Sequence, residues 1–179
     1  NYGVSEGSAS VLEAFKDLSI AAVSFLISTY IARIGYKNAM LIALGMVAAA
    51  CFVMPSMDTF WATKLLFAVV GSSFALIKMS VYSTIGLLTK DEKEHISLMN
   101  FIESFFMVGI LTGYFIFGYF VDDQNPQSTA WLKVYYYLGA IALAAFALLF
   151  TAPLDESKAH AGESEAKADD FVAMFRLMI

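Results

Sequence analysis

Charge along this chain gathers into short clusters, and between the clusters lie five long apolar stretches, at about residues 12–31, 38–57, 58–89, 96–121 and 131–154. A helix rises about 1.5 Å per residue, so some 20 residues cross a hydrocarbon layer ~30 Å thick, and each stretch is long enough for one crossing. The second has no charged residue in its whole length, and Pro55 near its end suits a helix terminus. In the first, the uncharged run 18–32 is short. It needs the turn before it, with Glu13, Lys16 and Asp17 placed at the outer end and Lys16 snorkelling toward water. Asp58 and Thr59 offer N-caps to the third stretch, Glu103 interrupts the fourth, Asn125-Pro126 marks a turn, and Pro153 closes the fifth. The expected fold is all-α, a polytopic membrane helical bundle with five transmembrane helices.

Composition moves the chain further from a soluble domain. Of its 179 residues 59% are hydrophobic and 15% charged, with a mean hydropathy of +0.68; soluble domains carry about 25% charged residues. The net charge of -5 says little about partners, because much of the acid lies in the short tail 155–170. That tail reads as a charged linker, and 171–179 as the start of a further amphipathic or transmembrane segment. No basic stripe points to nucleic acid, so the lipid bilayer is the expected partner. The single Cys51 forms neither an intrachain disulfide nor a multi-cysteine metal site, and no cofactor is implied. His95 sits in a charged loop and His160 in the tail. No histidine lies in any span to activate Ser72 or Ser73 after Gly71, which excludes the usual nucleophile chemistry. Arg33, Lys37, Lys90, Lys93, Lys158, Lys167 and Arg176 fall on one side of the spans, against Lys16 and Lys133 on the other. The positive-inside tendency therefore places loops 33–37 and 90–95 and the tail 155–179 in the cytoplasm, and Trp61, Trp131 and Tyr135 to Tyr137 near the outer interface.

The third stretch holds the most informative residue. Lys78 lies inside it, roughly 6 Å from the membrane midplane, where an ammonium costs about 2.5 kcal/mol or more unless it faces a partner or a water-filled path. Stretches three and four are joined by a short loop and should fold as an antiparallel hairpin. That sets Glu103 within ~3 Å of the depth of Lys78. Pairing lowers the cost of each charge in lipid, and breaking the pair strands the survivor. Tyr82, one turn from Lys78, is the hydroxyl able to join such a site, with Asn100, one turn before Glu103, a weaker candidate; Ser80 and Ser83 point elsewhere on the helix. Loss of solvent favours the neutral form of a carboxyl group, which makes Glu103 the candidate proton carrier.

The loop Ser28-Thr29-Tyr30-Ile31-Ala32-Arg33-Ile34-Gly35-Tyr36-Lys37 resembles the signature between the second and third helices of the major facilitator superfamily. Arg33, Gly35 and Lys37 match it, while Ser28, Ala32 and Tyr36 replace a glycine, an acid and a basic residue. The resemblance implies an acid at Ala32 for the ion-pair lock that the family builds there, and this chain departs from the pattern at that position. Gly109, Gly113 and Gly118 echo the fifth-helix pattern of that family, with Tyr114 in place of its proline and Phe117 in place of one glycine. Together with Gly71 they also suit close helix packing. The family's fourth-helix arginine would fall at Phe67. The resemblance implies that the chain is a fragment covering helices two to six, the central linker and the start of the second half. Its partners would then be the missing first helix and second six-helix bundle of the same protein.

Two functions stand open at this point. The first is a secondary active transporter that moves a small polar solute across the cytoplasmic membrane by alternating access. In it the Lys78 and Glu103 pair lines a central cavity and either binds an anionic or hydroxylated solute or responds to a proton, with symport as one form of coupling. The other is a polytopic scaffold or regulatory protein in which the same pair is structural.

Overall fold

Five long helices and one single turn account for most of the residues described by this computed structural model, which are 6–27, 30–57, 59–120 and 130–154. In chain order they are α1 (Glu6–Ile27), the one-turn α2 (Ile31–Ile34), α3 (Tyr36–Val53), α4 (Phe60–Leu88), α5 (Glu92–Phe120) and α6 (Val134–Thr151). A 3-10 turn, Met54–Ser56, ends α3 and carries Pro55 in its first positions; another, Ala130–Lys133, leads into α6. The segments Tyr36–Ser56, Phe60–Leu88, Glu92–Phe120 and Trp131–Thr151 are each long and apolar enough to cross a membrane. The expected tail at 155–179, the turn at 122–129, Ser28 and the Asp58 cap lie outside the described residues.

Helix ends follow local chemistry. Thr59 caps α4, its hydroxyl accepting from the Ala62 N–H at 3.3 Å. The fourth span starts at Glu92 rather than near 96, so most of the polar stretch 90–95 is helical. Asp91 Oδ1 accepts from the Glu94 N–H at 2.8 Å, and Glu94 Oε2 accepts from the Lys90 N–H at 2.9 Å. Carboxylates at a helix start satisfy its orphan donors and suit its dipole. Polarity there reported the solvent, and not the backbone conformation.

The first stretch, expected to be the first of five spans, departs more: its helix α1, with three charged residues in its middle, is not among the four segments of the described residues that are long and apolar enough to cross a membrane. Its helix begins at Glu6 and stops at Ile27, which puts Glu13, Lys16 and Asp17 in its middle instead of at an outer end. Gly71 of α4 marks their depth. A Cβ on Gly71 would lie 2.5 Å from the Lys16 carbonyl oxygen, so the two backbones touch there. Gly71 is three residues, about 4.5 Å, from the centre of α4. Asp17, 3.7 Å from Lys16, is largely exposed at that level, and a carboxylate at such depth faces water or protein and not acyl chains.

Packing is organised around α4. Helices α1 and α3 lie against it, and α6 lies against α3. Small side chains allow the approach: Gly71, Ser73, Ala75 and Ser80 of α4 are buried, and Gly139 of α6 sits where a Cβ would meet Phe52 at 3.0 Å. Without a hydrophobic drive between helices in lipid, such close van der Waals contact is a main source of association. Two apolar clusters result, one around Cys51, Met54, Leu66, Leu132, Val134 and Tyr135, the other around Ile31, Ala39, Ala43 and Leu76. Helix α5 stands apart, with no buried residue among its 29. Its last turns bring Ile116, Phe117 and Phe120 onto the first cluster, and Phe117 meets the Tyr135 ring at 6.0 Å.

Gly71→Val is therefore expected to destabilise the protein by about 1–3 kcal/mol through overpacking against backbone. Gly86→Ala, where an added Cβ meets nothing within 4 Å, should be neutral or more stable by up to ~1 kcal/mol. Thermal or denaturant unfolding in detergent micelles measures both.

Candidate functional site

Midway along α4 and α5 the expected pair forms. Lys78 Nζ lies 3.2 Å from Glu103 Oε1, with side-chain exposures of 39% and 32%. Folding the α4–α5 hairpin about the Thr89 to Asp91 bend brings these levels together. The bend is steadied by the Thr89 hydroxyl, which donates to the Ile85 carbonyl at 2.8 Å and lies 3.3 Å from His95 Nδ1. The pair sits in a cleft of about 240 Å³ between the two helices. Three aromatic rings surround the ammonium: the ring centres of Phe74, Tyr82 and Phe106 are 5.6, 5.4 and 5.8 Å from Lys78 Nζ. Phe74 and Phe106 also meet each other at 5.5 Å. Ring faces attract a cation within about 6 Å, more strongly when water is scarce.

Among the sequence candidates, Lys78, Glu103 and Tyr82 come together here. Asn100 does not line the cleft; its carbonyl accepts from the Ser104 hydroxyl at 2.7 Å on the exposed side of α5. Ser80 is fully buried within the bundle, away from the cleft, as the helical period implies. The contribution of Phe106 was missed. It lies one turn after Glu103 on α5, and the signal for it was an aromatic residue on the same helical face as the acid.

At the junction of α2 and α3, Gly35 has φ 87° and ψ 135°. This is a conformation that L side chains rarely adopt, so glycine is needed to turn the chain there. Arg33 lies 5.7 Å from the Tyr30 ring centre. Lys37 reaches across to the end of α6, donating to the Phe150 and Ala152 carbonyls at 3.1 and 2.6 Å. An ammonium there satisfies carbonyls left open by the helix end and suits the negative end of its dipole. The start of α3 and the end of α6 therefore share one side of the bundle.

The family profile described as Major Facilitator Superfamily matches residues 1–177. The chain belongs to the major facilitator superfamily. No curated protein and no solved structure gives a significant match. Members of the superfamily are as a class secondary transporters rather than enzymes, and the helices and cleft found here are in keeping with a multi-pass membrane protein that handles a solute. Four positions that correspond to superfamily patterns lie on α4 and α5. Phe67, where the fourth-helix arginine would fall, lines a second, apolar cavity of about 430 Å³ bordered by α1, α3, α4, α5 and α6, which Lys16 also lines. Gly109, Gly113 and Gly118 lie on parts of α5 where an added Cβ meets nothing within 4 Å among the described residues, whereas Gly71 has the close neighbour expected of a packing glycine. Lys64, in the second turn of α4, has its ammonium 5.7, 4.8 and 5.1 Å from the Phe15, Phe60 and Trp61 ring centres.

Gly35→Ala should cost about 1–2 kcal/mol, since a Cβ at positive φ is strained. Lys37→Met should cost on the order of 1 kcal/mol by uncapping α6. Scanning calorimetry on purified protein checks both, and an unchanged melting temperature for Gly35→Ala would contradict the turn geometry.

Proposed function

We propose that this protein is a secondary active transporter of the cytoplasmic membrane that moves a small polar solute by alternating access, with Lys78 and Glu103 as its solute-binding and proton-coupling pair. The observation that carries this is the 3.2 Å contact of the two opposite charges at mid-helix, open to a cleft rather than sealed in the bundle. A charge at that depth is kept for a partner or a path, and this pair has the first and adjoins the second. Tyr82 adds a ring and a hydroxyl to the cleft, and Asn100 is the further polar side chain one turn away on α5.

The arrangement of the chain enters this proposal as the second to sixth helices of one bundle, residues 1–154. The linker 155–170 and the segment 171–179 lead on toward a second six-helix bundle. Loops 33–37 and 90–95 and the tail are assigned to the cytoplasm. The tie from Lys37 to the end of α6 supports a common side for 33–37 and the residues after α6, and the excess of lysine and arginine supports that side being internal. Arg33, Gly35 and Lys37 then form the inner-gate loop, and Gly109, Gly113 and Gly118 are available for packing against helices beyond these.

A structural pair in a non-transporting scaffold draws on one observation of its own: with no buried residue in α5, the contacts of Glu103 and Phe106 are its mid-length hold on α4. Uptake of labelled small polar solutes into vesicles by the full-length protein separates the readings. Lys78→Ala and Glu103→Gln are each expected to lower uptake roughly tenfold or more at normal expression, which equals a loss of about 1.4 kcal/mol or more. Undiminished uptake in both would end the transport role of the pair. If both single variants misfold while Lys78→Met combined with Glu103→Leu is stable and active, the pair is structural.

A further inference from the structure

The cleft between α4 and α5 specifies the chemistry of its ligand. Its polar side chains are Lys78, Tyr82 and Glu103; Phe74, Phe106 and three aliphatic side chains make up the rest. A sugar or other polyol would bring several hydroxyls into a wall with few partners, and each one left unpaired is costly. A ligand with one charged end and an apolar body fits such a wall. The volume, about 240 Å³, lies below the ~300–1,000 Å³ of sites for drug-sized molecules, so the body is small.

The sign of the charged end follows from the surroundings of the pair. Three ring faces lie around Lys78 Nζ, and they favour a cation at that point. Glu103 has no comparable support among the residues of the cleft. The ammonium is thus the fixed member and the carboxylate the exchangeable one. Electroneutrality then sets the coupling. Lys78 and Glu103 together carry no net charge. An incoming anion that takes the ammonium from Glu103 leaves the site negative, in surroundings where uncompensated charge is expensive. A proton on Glu103 restores neutrality: ammonium, bound anion and neutral carboxylic acid. Proton without anion, or anion without proton, leaves one charge unmatched. The titratable groups facing Glu103 within the cleft are Lys78 and Tyr82 of α4. Lys16 and Asp17 belong to α1, and Lys16 opens on the other cavity.

We infer that the cleft takes a small monocarboxylate with an apolar or aromatic body, and that each molecule enters with one proton, carried on Glu103. This rests on the reading of Lys78 and Glu103 as the solute site. In the binding step the Lys78 ammonium exchanges its hydrogen bond from Glu103 to the solute carboxylate while a Glu103 oxygen takes up a proton from water on the open side. On release the proton returns to water and the original pair closes.

Calorimetric titration of the full-length protein in detergent with sodium benzoate, in two buffers of different ionisation enthalpy, tests it. The wild type is expected to take up about one proton per benzoate bound. Benzamide, of the same shape but uncharged, should bind roughly tenfold more weakly or worse, about 1.4 kcal/mol. Glu103→Gln should keep benzoate binding and lose the proton uptake, while Lys78→Met should lose the binding; circular dichroism confirms that each is folded. Benzamide binding as tightly as benzoate, benzoate binding without proton uptake, no benzoate binding by folded wild type, or loss of binding in folded Glu103→Gln would each overturn the inference. Proton-linked benzoate binding with no uptake into vesicles would remove the transport reading and leave this one standing. Uptake of another solute that Lys78→Ala abolishes, with no benzoate binding, would do the reverse.

Discussion

An ammonium about 6 Å from the centre of a long apolar helix has to be answered by something other than lipid, and the chain answers it with Glu103. The position of α5 depends on that answer. Unlike α3, α4 and α6, it contributes no buried residue, so fully buried apolar packing does little to set its place along α4. Its mid-length hold is an ion pair with an aromatic contact beside it, and its far end rests on the cluster around Tyr135. The ion pair therefore both helps to hold a helix and lines the cleft.

The rest of the bundle is held by a different kind of contact. Between α1, α3, α4 and α6 the approach is made by glycine, alanine and serine, and backbones come close enough that a single added carbon would collide. These helices are tightly fitted at those contacts and leave their free volume in the apolar cavity of about 430 Å³ that they border with α5. Helix α5, with few buried contacts, belongs at the low end of local stability among the described residues. A tight group beside a loosely held helix, with a charged cleft at their boundary, places the contact of Lys78 with Glu103 where movement is least opposed. Lys37 adds a tie of the first kind by joining the start of α3 to the end of α6 through two carbonyls.

Much of the fold was readable along the chain. The all-helical character and the five long helices, the hairpin of α4 and α5 and the matching depths of Lys78 and Glu103 all follow from length and charge spacing, because depth in a helix increases linearly with residue number; that only four of the five helices are long and apolar enough to cross a membrane did not. Family membership was visible in Arg33, Gly35 and Lys37, set between two apolar stretches. The middle placement of Glu13, Lys16 and Asp17 was not readable. They looked like the outer edge of a span, and the contact of Lys16 with Gly71, far away in sequence, is what reveals their depth. The spacing of Asn100 from Glu103 makes it a candidate, yet it does not line the cleft, while Phe106 at similar spacing does.

What the sequence determined by itself is which long stretches leave water and how far apart in depth two residues of one helix sit: hydropathy decides the first, and the fixed rise of a helix decides the second. What only the tertiary structure decided is which way each helix turns about its axis and which neighbour it meets there. That choice set three rings around Lys78, sent Lys37 to the carbonyls of α6, pressed Gly71 against Lys16 and left α5 largely uncovered. Rotation and partner are settled by the mutual fit of small and large side chains on surfaces distant in sequence, and no single stretch contains that information.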